Sequence, residues 1–561
     1  MADDSAPRTP ASRVWDIVRL EKRDLWIAVI YSALIGLLSL IVPVATQLLV
    51  NTVAFGALLQ PVVVLTLVVF AALGFAGALT ALRAWVVEII QRRFFVQVGS
   101  GLVGRLLRVN AESFDRHYGP ELVNRFFEVV TVQKSGALLL IDGLSLFMQT
   151  VLGMLLLAVY HPWLLAFDLV LIVVILFVLF VGGRGAVPTA IGESKAKYAV
   201  VAWLEELAQH LVAFRSPSGS EYAVRRADAL FAKYVDYRRQ HFRILVRQKI
   251  GFLTLQALAS AALLGVGGWL VIERQLTLGQ LVAAELVVTA IVSGLAKYAK
   301  YLETYYDLVA AMDKLGHLED IELEKHGRET LNSAGRGVAY SLKEVSYGYP
   351  GRAPVFSGLS WDIPAGQHIG LTGGSGHGKT TLLELLFGLR TPDSGVIEID
   401  GLDHRDVDLR SLRSRVALVR ANEIFHGTVE DNLKLGSADA NTSEIRKALA
   451  AMGILDDVAA LPHGLQSELA TGGRPLSAGQ AVRLVLARAI LARPRLLLLD
   501  ECLDQIDDAI ERDLLLDVLF DPAAPWTVLA ATEDDSVLRR CDRVHAVEHG
   551  QVYERNVAAW K

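Results

Sequence analysis

The sequence has few cysteines and little net charge, and both scarcities exclude classes of protein. Only Cys502 and Cys541 occur among the 561 residues, so a disulfide framework is not expected and a reducing compartment fits. The formal net charge is −5, which supplies no basic face, so we expect no nucleic-acid partner. A signal peptide is not expected either, because the first apolar run is long and follows the charged stretch Glu21–Asp24.

Apolar residues, by contrast, are abundant, at 53%, and the long apolar runs all lie in the first half of the chain. Crossing a hydrocarbon core about 30 Å thick takes about 20 apolar residues in a helix. Six runs meet this requirement, at approximately Leu25–Val50, Pro61–Val87, Gly136–Val159, Pro162–Gly182, Ile250–Ile272 and Leu278–Ala299. The sequence therefore predicts an α-helical membrane domain with six spans, which contacts the lipid bilayer, followed by a soluble domain.

The connections between these spans differ sharply in charge. The N-terminal segment and the connections Gln91–Ser135 and Gly183–Lys249 carry five, seven and twelve Lys and Arg residues, against Arg274 alone in the three short loops. The positive-inside rule then puts both termini and both long connections in the cytoplasm and the spans in the cytoplasmic (inner) membrane. Helices in the long connections could press on the soluble domain, at Phe114–Val130 and Ala199–Arg215; the alternative is plain cytosolic loops.

Charged residues inside the predicted spans are candidates for function. Asp168 lies six residues into its span and Glu285 about seven into its own, so at 1.5 Å per residue both sit about 9–10 Å below the outer surface. The two acids could line an outward vestibule. An equally weighted alternative is that each finds a backbone or hydroxyl partner or reaches the headgroups. Arg83, near the cytoplasmic end of its span, is expected to extend to the interface.

A glycine-rich loop in the soluble half carries the strongest chemical signal. The pattern predicts a strand, a loop and a helix, with the loop formed by Gly373, Gly374, Ser375, Gly376, His377, Gly378, Lys379, Thr380 and Thr381. Glycines allow backbone N–H groups to close around phosphate oxygens at the N-terminus of a helix. Lys379 would reach the β- and γ-phosphates, and the Thr380 hydroxyl would bind magnesium. We therefore predict a site for ATP and Mg²⁺.

A second strand in the soluble half ends in two acidic residues. Four consecutive leucines, Leu496–Leu499, are typical of a parallel strand that is buried on both faces. Asp500 follows at the carboxyl edge, where such sheets place their ligands, and would hold the magnesium through water. Glu501 comes next and is placed to orient or deprotonate the water that attacks the γ-phosphate.

A third motif resembles that of a known family. The segment Leu476–Gln480 (Leu-Ser-Ala-Gly-Gln) resembles the signature of ABC proteins, which is usually Leu-Ser-Gly-Gly-Gln. With six spans ahead of it, the chain resembles an ABC half-transporter of the type IV exporter fold, in which a membrane domain is fused to an α/β P-loop ABC ATPase domain. It is nearest to the peptide and haemolysin-type exporters, without their N-terminal peptidase domain.

The resemblance implies roles for further residues. In this family Ser477, Gly479 and Gln480 would help to bind the nucleotide held by the opposite subunit, so that two ATP molecules join two ATPase domains. Tyr349 matches the aromatic residue that stacks on adenine, and Asp507 matches the segment that reports across the dimer.

The resemblance also implies the organisation of the whole protein. We predict an N-terminal segment at 1–24, the membrane domain at 25–318, a linker at 319–337 and the ATP-binding domain at 338–561. The main interpretation is a dimer of half-transporters, a homodimer in preference to a heterodimer, that exports a peptide or another amphipathic molecule. A periplasmic adaptor protein is left open. The alternative is an ATP-binding regulatory or degenerate subunit of a heterodimeric transporter, with little hydrolysis of its own.

Two residues that the family usually has are missing. The position of the Gln that touches magnesium is taken by Arg420 or Ala421, depending on where one residue is dropped, and the His that binds the γ-phosphate is replaced by Glu533. Two like charges about 4 Å apart cost about 4 kcal/mol at an effective dielectric of about 20. Glu533 should therefore be protonated, turned away or paired with a cation. We favour a pair with Arg420. The two departures could make hydrolysis slow, although Glu501 and the core of the signature are intact.

Overall fold

The computed structural model describes residues 10–54, 59–116, 123–331, 336–421, 423–506 and 508–555. The chain divides into two compact units. One comprises Met1–Arg108 and His117–Ile321, and the other comprises Val109–Arg116 and Glu322–Lys561. The short segment Val109–Arg116 thus belongs to the second unit although the chain on both sides of it belongs to the first.

The described residues up to 319 form helices, apart from turns, short connections and the single β-bridge residue Val109. The α-helices are α1 (Pro10–Leu20), α2 (Lys22–Ser39), α3 (Ile41–Ala54), α4 (Leu59–Leu106), α5 (Glu112–Arg116), α6 (Glu128–Leu138), α7 (Leu144–Tyr160), α8 (Pro162–Phe180), α9 (Ala186–Gln209), α10 (Pro217–Ile272) and α11 (Leu278–Glu319). The sequence marks several of these starts. Ser216, followed by a proline, caps α10, and Thr277 and Gln280 form a capping box at the start of α11.

Six helical stretches among the described residues are long and apolar enough to cross a membrane. They are Lys22–Thr52, Leu59–Leu106, Arg125–Tyr160, Pro162–Phe180, Pro217–Ile272 and Leu278–Leu318. Each contains one predicted span, except that the fourth prediction ran two residues past Phe180, so the six-span prediction is confirmed. The 48 residues of α4 and the 56 of α10 exceed what a bilayer core needs, which shows that the long connections are continuations of the spanning helices.

Arg83 corrects one expectation about these helices. It was expected to extend to the membrane interface, but its side chain is buried in the first unit. One guanidinium nitrogen donates hydrogen bonds to the hydroxyls of Ser32, at 3.0 Å, and of Ser145. The reason is the packing around α4: Ser32 lies on α2 and Ser145 at the start of α7, and their hydroxyls give partners to a guanidinium that would otherwise have to reach water.

The second unit is built from two main sheets and a short pair of strands. A four-stranded antiparallel sheet has the order β2-β1-β4-β5, and a six-stranded sheet has the order β12-β11-β3-β10-β9-β6. The strands are β1 (Tyr340–Gly348), β2 (Pro354–Ile363), β3 (His368–Thr372), β4 (Ser394–Ile399), β5 (Leu402–Asp403), β6 (Val416–Arg420), β7 (Gly427–Thr428), β8 (Glu468–Leu469), β9 (Leu496–Asp500), β10 (Thr527–Ala531), β11 (Arg543–Glu548) and β12 (Gln551–Arg555).

Helices flank these sheets in the second unit. They are α12 (Lys379–Phe387), α13 (Leu409–Arg413), α14 (Val429–Lys434), α15 (Thr442–Ala451), α16 (Leu455–Ala460), α17 (Ala478–Leu491), α18 (Ala509–Leu519) and α19 (Asp535–Leu538). An α/β domain therefore follows the helical membrane domain, as predicted.

The six-stranded sheet positions the chemistry of the second unit. Strands β11, β3, β10, β9 and β6 are parallel, and the central strands are buried on both faces, as the leucine run in β9 predicted. Because parallel strands end at the same edge, the residues that follow β3, β6, β9 and β10 converge there.

The segment Val109–Arg116 is part of this second unit through backbone contacts. Val109 forms an antiparallel bridge with Leu323, and the backbone N–H of Asn110 donates to the carbonyl of Glu322 at 3.0 Å. Helix α5 follows directly. The predicted contact region Phe114–Val130 therefore overlaps α5 in its first three residues, whereas the other candidate, Ala199–Arg215, lies in the first unit.

Candidate nucleotide-binding site

The glycine-rich loop joins the end of β3 to the start of α12, in the strand, loop and helix order that was predicted. Gly376 and Gly378 have φ values of 82° and 103°, which favour glycine. A Cβ on Gly378 would also lie 2.6 Å from a methyl carbon of Val355. The loop from Gly374 to His377 is exposed to a phosphate ligand, although the His377 N–H itself donates to the Gly374 carbonyl at 3.2 Å.

Lys379 is the buried cation at the base of this loop. Its side chain is only 4% exposed, and Nζ lies 3.1 Å from a carboxylate oxygen of Glu501 and 3.7 Å from one of Glu533. It also donates a hydrogen bond to the carbonyl of Gly373. The predicted pair between Glu533 and Arg420 is therefore wrong, since Glu533 faces Lys379.

Thr380 and Asp500, the two predicted magnesium ligands, lie together at the carboxyl edge. The Thr380 hydroxyl donates to Oδ1 of Asp500 at 2.9 Å. Hydroxyl and carboxylate oxygens are the ligands that Mg²⁺ prefers, and magnesium usually completes its shell with water and substrate phosphates. The described residues contain no group of three or more His, Cys, Asp and Glu side chains that could hold a metal ion. The Thr380 hydroxyl and the Asp500 carboxylate fit a magnesium whose remaining ligands are water and nucleotide phosphates.

Arg420 occupies the other oxygen of Asp500. The two residues are directly opposite in the parallel register of β6 and β9, and Nε of Arg420 donates to Oδ2 of Asp500 at 3.1 Å. A second guanidinium nitrogen donates to Oε1 of Glu384 at 2.7 Å. Of the two residues considered for the missing Gln, the structure thus places Arg420, and not Ala421, against the metal acid.

Glu501 has a strained backbone, with a φ of 50°. A residue other than glycine in this region costs on the order of 1–3 kcal/mol, and such strain concentrates at functional sites. Its N–H donates to the carbonyl of Ala531 at 3.0 Å, which fixes the turn. The side chain is more than half exposed and thus accessible to a water molecule. Asp507, which was predicted to belong to the segment that reports across the dimer, lies outside the described residues.

Tyr349 lies beside the glycine-rich loop. Its hydroxyl is 3.1 Å from the Thr381 hydroxyl, and the guanidinium of Arg390 lies over its ring at 4.5 Å from the centroid. The position beside Thr381 suits a ring that stacks on a bound base. That role stays a prediction.

The signature segment begins α17 and is organised by its own capping box. The Gln480 N–H donates to the Ser477 hydroxyl at 3.2 Å, and the Ser477 N–H donates to the Gln480 side chain at 2.8 Å. The Gln480 amide also donates to Asp457. A Cβ on Gly479 would approach the carbonyl of Gln505 to 3.3 Å. In the described residues these contacts do not bring the signature segment to the glycine-rich loop of the same chain.

Glu384 and Arg390 are the site residues that sequence reasoning missed. Glu384 lies on α12, four residues after Thr380 and therefore on the same face of the helix. Both of its carboxylate oxygens accept from arginines, one from Arg390 and one from Arg420. The available signal was a glutamate flanked on both sides by pairs of leucines, a position where an unpaired charge is costly.

The membrane acids Asp168 and Glu285 lie in α8 and α11. Asp168 is only 2% exposed, and neither of its carboxylate oxygens has a hydrogen-bond partner within the part of the chain that the structure describes. Glu285 is half-buried, with Oε2 likewise buried and unpartnered. The hydroxyl or backbone partner considered as an alternative for Asp168 is thus not found among the described residues, and a role of the two acids in transport stays a prediction.

Neutralising these acids tests that role. If Asp168 and Glu285 bind the transported molecule, Asp168→Asn and Glu285→Gln should each reduce substrate stimulation of ATPase about fivefold or more, while basal ATPase is unchanged. Glu273→Gln, in a short loop, is the matched control. If both variants keep normal substrate stimulation and have a higher melting temperature, the two acids destabilise the fold and have no role in transport.

Comparisons with known proteins agree with this arrangement. The family model described as the ABC transporter transmembrane region matches residues 25–294, and the model described as ABC transporter matches residues 356–504. A solved structure of a bacterial Atm1-family ABC exporter with ATP bound superposes with a TM-score of 0.83 at 20% sequence identity. The match covers 96% of this chain and 95% of that one, which confirms the predicted exporter fold.

Several relatives match this chain, some of them over most of its length. An ATP-dependent lipid A-core flippase of Vibrio vulnificus is 27% identical over 99% of this chain and 95% of the relative. A cyclolysin secretion/processing ATP-binding protein of Bordetella pertussis is 26% identical over 93% of this chain and 74% of the relative. A multidrug efflux ATP-binding/permease protein of Mycobacterium tuberculosis is 31% identical, over 54% of this chain and 25% of the relative.

Proposed function

This chain belongs to the ABC transporter family as a half-transporter with the exporter fold, and from that premise we propose that two copies of it form an exporter driven by Mg²⁺ and ATP. The observation that carries the proposal is the meeting of the glycine-rich loop, Asp500 and Glu501 at one sheet edge. The signature residue Ser477 is engaged away from this loop. A second copy would bring its own signature segment to the nucleotide, which supports a dimer.

The site residues have separate tasks in the proposed cycle. The loop N–H groups and Lys379 bind the phosphates. Lys379 therefore exchanges its ion pair with Glu501 for one with the nucleotide. Glu501, released from that ion pair, orients the attacking water and accepts its proton. Thr380 and Asp500 would hold Mg²⁺, which supplies positive charge to the oxygens of the transferring phosphoryl group.

We propose an amphipathic molecule as the substrate, exported from the cytoplasmic side of the inner membrane. The support comes from the relatives, which include a lipid A-core flippase, a multidrug efflux protein and a cyclolysin secretion protein. The charge bias of the connections supports an ATPase domain in the cytoplasm.

A second candidate function is favoured by Arg420 and Glu533. Arg420 holds the carboxylate expected to bind the metal, and Glu533 sets a negative charge where a γ-phosphate would lie. The first contact opposes metal binding by Asp500, and the second opposes binding of the γ-phosphate. They would suit a subunit with slow hydrolysis that is paired with a different, active half-transporter.

Native mass and ATPase activity of the purified full chain separate the two functions. We expect a particle of twice the chain mass that hydrolyses ATP steadily in lipid nanodiscs and needs Mg²⁺ to do so. Amphipathic lipids or peptides should raise that rate. A chain that binds ATP and shows no hydrolysis above the level of the Glu501→Gln variant would support the regulatory subunit instead.

A further inference from the structure

Five side chains of the second unit form an unbroken line of ion pairs with alternating charge. The line starts on α5, in the connection between α4 and α6, and ends at the acid expected to hold magnesium. In order its members are Asp115, Arg390, Glu384, Arg420 and Asp500. We call this line the ion relay.

The pairs of the ion relay are close. Arg390 donates two hydrogen bonds to the Asp115 carboxylate, at 2.6 and 3.2 Å, and a third to Glu384. Arg420 then joins Glu384 at 2.7 Å and Asp500 at 3.1 Å. The Thr380 hydroxyl bonds to the remaining oxygen of Asp500. Each inner member therefore divides its charge between two partners.

The middle of the ion relay is shielded from water. The side chains of Arg390 and Glu384 are 8% and 11% exposed. Burial lowers the pKa of each arginine, but hydrogen bonds with Asp115 and Glu384 outweigh it for Arg390, and the bond with Glu384 does so for Arg420, so both pKa values lie above the ordinary one. In such surroundings a charge that loses one partner must strengthen its bond to the other, because an unpaired buried charge is costly.

This constraint links Asp115 to Asp500, the two ends of the ion relay. If Asp115 is lost, Arg390 has only Glu384 left among the acids, and Glu384 then neutralises Arg420 less. Arg420 must then form a stronger ion pair with Asp500. A cation beside Asp500 competes with a divalent metal for the same carboxylate, at a distance where charges interact strongly.

We propose that Arg420 is a positioning residue that sets the metal affinity of Asp500 according to whether Asp115 of α5 is engaged by Arg390. The ion relay thereby gives the connection between two membrane helices an electrostatic influence on the ATP site. Arg420 thus stands at the position where the family usually has the Gln. This inference rests on the proposed function of the site.

The experiment measures Mn²⁺ binding to the full chain, in nanodiscs with a non-hydrolysable ATP analogue, by the paramagnetic resonance signal of free Mn²⁺. Arg420→Gln should tighten Mn²⁺ binding about tenfold, since it removes the competing cation. Asp115→Asn should weaken binding about threefold. Adding Asp115→Asn to Arg420→Gln should then have no further effect, because the two act through one line of contacts.

Glu112→Gln is the matched control. Glu112 lies on the same α5 and accepts a hydrogen bond from the Thr391 N–H at 3.3 Å, but it is not a member of the ion relay. This variant should leave Mn²⁺ binding unchanged. Arg420→Lys keeps the charge and should tighten binding less than Arg420→Gln, which separates the charge from a general disturbance of the fold.

Two results would overturn the ion relay. One is an Asp115→Asn effect that persists in the Arg420→Gln background, which indicates a long-range field or a shifted helix. The other is an Arg420→Gln variant with unchanged or weaker Mn²⁺ binding. If the analogue fails to bind to any variant or to the unmodified chain, the proposed function itself is at fault and not the ion relay.

Discussion

Replacing Glu501 by Gln is expected to slow ATP turnover by about 10²-fold or more, the scale of losses when a general base is removed. ATP binding should stay nearly intact, because the amide has the same shape and the glycine-rich loop is untouched. The variant should accumulate as an ATP-bound dimer. Single-turnover hydrolysis and nucleotide retention after gel filtration measure these two effects.

The neighbouring Glu533 provides the comparison for this experiment. Glu533→Gln makes the same charge change beside the same Lys379, which the two acids share at 3.1 and 3.7 Å. It should not slow turnover, because Glu533 is expected to oppose the phosphate charge and not to activate water. Normal hydrolysis by Glu501→Gln together with a large loss in Glu533→Gln would exchange the roles of the two residues.

The phosphate site could be predicted because its signals are local in sequence. The loop from Gly373 to Thr381 carries its own turn glycines and lysine, and the leucines of β9 place Asp500 at a sheet edge wherever that strand lies. The six spans were equally predictable, since length and hydrophobicity decide them without knowledge of packing.

Strand order explains why the partner of Glu533 was wrongly predicted. Arg420 ends β6 and Glu533 follows β10, and both strands pair with β9 from opposite sides. Neighbouring strands lie about 4.8 Å apart, so two steps separate the residues by about 10 Å. Arg420 therefore meets Asp500 on the strand between them. Sequence spacing does not contain this order.

The ion relay could not be predicted from the sequence, for a related reason. Three of its four pairs join residues that are 36 or more positions apart, with Asp115 and Arg390 separated by 275 positions. Asp115 and Arg390, seen alone, have an ordinary surface interpretation. Only Glu384, between pairs of leucines, indicated a buried charge, and no local rule named its partners.

Removing the shared lysine gives the second large effect. Lys379→Ala is expected to weaken ATP binding by at least about 10²-fold, since hydrogen bonds to charged groups contribute about 1.5–3 kcal/mol and 1.4 kcal/mol is tenfold. The loss should exceed that of the hydrogen bond alone. Without Lys379, the carboxylates of Glu501 and Glu533 face the triphosphate with no cation between them. Fluorescent-nucleotide titration of the full chain measures the change.

The share of the loss that comes from Glu533 can be isolated in a second background. Glu533 is 66% exposed, so water screens its charge and the expected recovery is modest. Adding Glu533→Gln to Lys379→Ala should restore ATP affinity about threefold, the scale of an exposed charge interaction, whereas Glu533→Gln alone should change it less, because Lys379 already neutralises that acid. The unequal effects measure the coupling between the two residues. Equal effects in both backgrounds would show that Lys379 does not screen Glu533 when the nucleotide is bound.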